Sequence, residues 1–166
     1  VTVAGSNWGK AAAGLGATLA SVVNAAWALV LRSRSSEESV VFGVVTAGRQ
    51  DGDERTVGLL INTVPLCIRV DPAARVKDWL QAVQQAFVEM LPHQSTGLQD
   101  IQRWTGLRPL FETAVVFENY PMPDGSPAAD EKQYQVELVQ ATEKTDFMLT
   151  LTAPELTVLV GGLCYP

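Results

Sequence analysis

One amide stands inside a long apolar run, Val57-Gly58-Leu59-Leu60-Ile61-Asn62-Thr63-Val64-Pro65-Leu66-Cys67-Ile68-Arg69. Such a run predicts a strand buried on both faces, or nearly so. Strand side chains alternate, which puts Asn62 on one face with Leu60, Val64, Leu66 and Ile68. A buried amide left without hydrogen bonds costs about 1–3 kcal/mol. Its partner is either the fold's own backbone or the amide or thioester of a ligand. Pro65 removes one ladder donor and predicts an edge or a bulge. The other groups able to do chemistry are few. There is one histidine, His93, which excludes multi-histidine metal sites and paired-histidine catalysis within these residues. His93 follows Pro92 at a helix end, with Asp100 one or two turns on. It reads either as a general base or as a group capping or packing the end of the preceding helix. A hydrolase or acyltransferase built from His93, Asp100 and Ser95 ranks low, because no Gly-x-Ser-x-Gly elbow is present. Arg49 follows Gly48 at a strand end, where it either anchors a loop or is solvated. Cys67 and Cys164 both lie in apolar, strand-like sequence and are expected to be buried thiols rather than a disulfide.

The 166 residues are enough for one domain with a sizeable core. A net charge of −6 and the lack of any Lys/Arg cluster argue against nucleic acid as a partner. No apolar run is long enough to span a membrane. The first residues show no basic start followed by an apolar stretch, so no secretion signal and a cytoplasmic location are expected.

The elements follow from periodicity. Lys10 to Leu15 fits a short helix, stopped by Gly14 and Gly16, and Thr18 is a candidate N-cap for the next one. Leu19, Val22, Val23, Ala26, Trp27 and Val30 form a helical stripe, widened by Ala20, Ala25 and Ala28 and ending near Arg32 to Ser36. Val40 to Val45 predicts a buried strand. Asp71-Pro72 marks a turn and a possible helix start. Val76, Trp79, Leu80, Val83, Phe87 and Met90 form a second stripe, ended by Pro92. A short helix between His93 and Gly106 carries Leu98, Ile101 and Trp104 on one side. Trp27, Trp79 and Trp104 are expected in the core. Strands are expected over Glu112 to Tyr120, Tyr134 to Gln140, Phe147 to Thr152 and Leu156 to Leu163. The last two are joined at Ala153-Pro154-Glu155, and Pro121 to Ala129 is an exposed loop. The predicted fold class is α/β (α+β): a two-layer sandwich with a mixed sheet of about six strands and helices packed on it.

Several stretches resemble the C-terminal lobe of a condensation domain from a nonribosomal peptide synthetase. Val41-Phe42-Gly43 and Ala47-Gly48-Arg49 resemble that family's strand and its Ser-Gly-Arg, with Ala47 in place of serine. Val57 to Arg69 resembles Val-Gly-x-Phe-x-Asn-Thr-x-x-x-x-x-Arg. His93-Gln94 with Leu98 resembles His-Gln-Asp-Tyr-Pro-Phe-Glu, with Ser95, Gly97 and Gln99 replacing the aspartate, proline and glutamate. Pro109-Leu110-Phe111 and Phe117-Glu118-Asn119 resemble Asn-Pro-Leu-Phe and Phe-x-x-Asn. The resemblance covers roughly Thr18 to Pro166, and Glu118-Asn119-Tyr120 favours a peptide-bond-forming over an epimerising member.

The resemblance implies one lobe of a chloramphenicol-acetyltransferase-like fold. The family's tunnel lies between two lobes, and the phosphopantetheine arms of donor and acceptor carrier proteins enter it from opposite sides. Its catalytic His-His-x-x-x-Asp-Gly belongs to the N-terminal lobe and is not found in these residues. The expectation is therefore a C-terminal lobe spanning 1–166 that lacks the catalytic lobe and a final helix, binds no cofactor directly, and self-associates or is only marginally stable when isolated. Asn62, Thr63, Arg49, His93 and Asn119 are the candidate tunnel-lining residues. The bland alternatives are an internal amide for Asn62, a ladder position for Thr63 and a strand-to-loop turn for Asn119. The alternative function is a noncatalytic docking platform for a carrier protein or partner enzyme.

Overall fold

Apolar β-branched runs at Val40–Val45, Val64–Ile68 and Ala114–Phe117 pair into one sheet, and two helical stripes cover one of its faces. The computed structural model describes residues 8–35, 37–47, 55–58, 60–118, 149–154 and 159–162. The elements in order are α1 (Trp8–Gly14), α2 (Leu19–Arg34), β1 (Ser39–Thr46), β2 (Asn62–Arg69), α3 (Val76–Met90), a 3-10 turn (Leu91–His93), α4 (Leu98–Thr105), β3 (Thr113–Glu118), β4 (Leu149–Pro154) and β5 (Leu159–Gly162). The described strands form a five-stranded sheet in the order β2-β1-β3-β4-β5. β1 runs antiparallel to β2 and parallel to β3, β3 is parallel to β4, and β4 is antiparallel to β5. The expected mixed sheet is thus present. The strand expected over Tyr134 to Gln140 lies outside the described residues.

The core lies between the sheet and α2 and α3. Val40, Phe42 and Val44 of β1, Val64, Leu66 and Ile68 of β2, and Val115 of β3 share one apolar cluster with Trp27, Ala28, Leu80 and Val83. Period-two alternation sends the intervening residues to the opposite face. There Gly43 of β1 is buried under Phe111: a Cβ at Gly43 would sit 2.5 Å from the Phe111 ring and 2.8 Å from Thr63 Cγ2. A glycine within a strand marks such a close approach. Phe111 is 7 % exposed and lies just before β3.

α2 starts where expected. Thr18 Oγ1 accepts from the Ser21 amide at 3.2 Å, and Gln84 of α3 ties the same corner by accepting from Thr18 N at 2.9 Å and Ser21 Oγ at 2.8 Å. The buried face of α2 differs from the expected stripe. Ser21, Asn24, Ala25, Trp27 and Ala28 are buried, while Ala26 and Val30 are exposed. The small residues Ser21, Ala25 and Ala28 admit closer packing than the larger ones do, so burial follows them. In α3, Leu80, Val83 and Met90 are buried as expected, but Val76 is 73 % exposed at the helix start. Asp71-Pro72 is a turn, with Asp71 Oδ1 accepting from Ala73 N at 2.8 Å, and the helix begins only at Val76. Trp79 Nε1 donates to the Arg69 carbonyl at 2.7 Å, fastening α3 to the end of β2.

Four other expectations are corrected. β2 begins at Asn62 rather than Val57, and Val57 is 99 % exposed. β2 is buried on one face only: Cys67 and Arg69 are exposed while Val64, Leu66 and Ile68 are buried. The buried face is the one that α2 and α3 cover; β2 also ends the strand order among the described residues, as Pro65 implied. Trp104 is 70 % exposed, because α4 is short and buries no residue fully. Ala153 and Pro154 belong to β4, paired in parallel with Phe117 and Glu118, rather than to a turn. Among the described residues no single helix is long and apolar enough to cross a membrane.

The Gly43 slot sets a stability test. Gly43→Ala should lower the unfolding free energy by about 1–3 kcal/mol in urea titration through overpacking. Adding Phe111→Leu should make the double variant less destabilised than the sum of the single changes. Additive losses would show that the ring does not fill the space above Gly43.

Candidate functional site

The amide singled out by sequence is half-buried at the first position of β2. Its Nδ2 donates to the carbonyl of Gln94 at 2.8 Å and to that of Thr96 at 2.7 Å. Its Oδ1 accepts from the Thr63 amide at 2.9 Å. Both amide hydrogens and the carbonyl of this side chain are therefore engaged by the protein's own backbone. The acceptors lie in the tight turn after the 3-10 segment, itself closed by Gln94 N to Leu91 O at 3.1 Å and Thr96 N to His93 O at 2.9 Å. An asparagine suits this place because one short nitrogen carries two donors; an ionised aspartate has none.

The turn held by Asn62 leads into α4, and the two border a groove of about 370 Å³. One wall is the outer edge of β2 from Val64 to Cys67. The other comprises Glu89 and Met90 of α3, His93 and Ile101. The groove thus brings the exposed Cys67 thiol and the His93 imidazole to one surface. The thiol's exposure corrects the expectation of a buried cysteine; Cys164 lies outside the described residues. His93 is exposed at the end of the 3-10 turn. Asp100 pairs with Arg103 within α4. A general base needs a group that orients it. The partner of Asp100 in the structure is Arg103, not the His93 that the arrangement considered from sequence would pair it with.

Thr63 lies on the opposite face of β2 from the helices, in register with Val45, and its methyl group lines the Gly43–Phe111 contact. Arg49 and Asn119 lie outside the described residues. The structure therefore joins Asn62 to the turn after His93, and Thr63 to Gly43 and Phe111. The partners of Asn62 were not legible from sequence, since backbone carbonyls carry no side-chain signature. Gly43 had a signal, a glycine within an apolar strand, but nothing in sequence specified Phe111 as the ring above it. Among the described residues no group of His, Cys, Asp or Glu is arranged to hold a metal ion.

A second groove, about 520 Å³, runs between the end of α2 and the segment before β3, with Leu31, Arg34, Val41, Leu110 and Phe111 among its walls.

Residues 5–162 match the family model described as "Condensation domain". Two components of the linear gramicidin synthase of Brevibacillus parabrevis are similar to this chain. One is 38% identical over 140 residues, covering 81% of this chain and 2% of that protein. The other is 40% identical over 154 residues, covering 89% of this chain and 3% of that protein. Among solved structures the chain is similar to the first condensation domain of the calcium-dependent antibiotic synthetase in complex with a substrate analogue. That match has a TM-score of 0.67 and 25% identity, over 92% of this chain and 35% of the other. The chain thus spans a small fraction of these relatives and about a third of the solved domain.

Two measurements test the site. Asn62→Ala should cost about 1–3 kcal/mol and speed hydrogen exchange over residues 91–105 while sparing α2. Asn62→Asp should cost more at neutral pH, because it sets a carboxylate against two carbonyls; equal exchange in all three proteins would contradict the clamp. Native Cys67, in a Cys164→Ser background, should react with an aromatic disulfide reagent within about tenfold of the rate for unfolded protein. Protection by orders of magnitude would mean that the β2 edge is covered.

Proposed function

This chain belongs to the condensation-domain family, and from that membership we propose that it is the C-terminal lobe of a nonribosomal peptide synthetase condensation domain. The intact domain joins an acyl or peptidyl thioester on a donor carrier protein to the amine of an aminoacyl thioester on an acceptor carrier protein. The amine attacks the thioester carbonyl, the amide forms, and the donor's pantetheine thiol leaves. The proton-handling histidine pair comes from the N-terminal lobe. This lobe supplies one wall of the tunnel and part of the carrier-docking surface. The phosphopantetheine arms are carried by the partner proteins, so the lobe holds no cofactor of its own.

The observation that carries this reading is spatial. Stretches far apart in the chain and similar to the family's ordered motifs meet in pairs: Asn62 with Gln94 and Thr96, and Gly43 with Thr63 and Phe111. These contacts stiffen a wall without themselves offering an acid or a base. Asn62 is fully occupied by backbone, so in this reading it holds the wall's shape. Thr63, Arg49, His93 and Asn119 remain the candidates for tunnel contacts.

The isolated chain should give no amide product with loaded donor and acceptor carrier proteins, and adding the N-terminal lobe should restore turnover. Turnover by the chain alone, abolished by His93→Ala, would overturn the proposal. Carrier binding without turnover even after that addition would favour a noncatalytic docking platform. Val57, Ile61, Trp104 and Leu107 are each more than half exposed, at 99 %, 53 %, 70 % and 57 %. Exposed apolar side chains of this size favour association. Sedimentation of the isolated chain should show weight-average mass rising with concentration; a single monomeric species throughout would count against an uncovered inter-lobe face.

A further inference from the structure

We draw no further inference here: the strongest candidate, the groove between the outer edge of β2 and the α3–α4 corner that exposes Cys67 and His93, is an unpartnered surface with nothing in the structure to show what covers it.

Discussion

A single side-chain nitrogen holding two backbone carbonyls is a demanding arrangement, because both acceptors must converge on one point. The turn at Gln94–Thr96 supplies that convergence, and Asn62 at the start of β2 meets it. Much of the local architecture depends on this pair of bonds. α4 buries no residue fully, so apolar burial alone anchors it weakly. The turn before it is fixed to the sheet by hydrogen bonds instead. Through that turn, Asn62 also sets where His93 and Ile101 stand along the groove beside β2. In a partly desolvated place such bonds resist displacement, since breaking them strands two carbonyls and two N–H groups at once.

The sheet has a different device on each face. On the helix side, Phe42, Val64, Val83 and Val115 interlock in an apolar cluster of the usual kind. On the other side, a missing side chain does the positioning. Gly43 leaves a slot that Phe111 fills, and Thr63 from the neighbouring strand closes it. The segment before β3 is thereby pressed onto β1 and β2. Trp27 adds a tie across the layers, its Nε1 donating to Thr113 Oγ1 at 3.2 Å. Together these contacts bind β1, β2 and the start of β3 to α2 and α3. Their chemistry is that of positioning, which fits a chain related to condensation domains but carrying only one histidine.

Local signals read well where a residue acts on its own neighbours. Thr18 caps α2 as expected, because its hydroxyl reaches an amide three residues away. Pro65 marked the end of the strand order among the described residues, because a proline lacks the donor that an interior strand needs. The period of α3 identified Leu80, Val83 and Met90 as core. Signals failed where burial depended on a distant element. Hydropathy made Val57 and Cys67 look interior, yet one precedes the strand and the other faces outward at its edge. Trp104 fits the stripe of α4, but too little of the described chain packs on that helix to cover it.

The sequence by itself determined the mixed α/β class, the main helices and strands, the family resemblance and the presence of a single histidine. Each of these is written in residue types and short spacings. Tertiary structure alone decided that Asn62 would spend its amide on Gln94 and Thr96, and that Phe111 would occupy the space above Gly43. The physical reason is common to both. A hydrogen bond or a van der Waals contact needs approach to within a few ångströms, and only packing of the folded chain brings those groups that close.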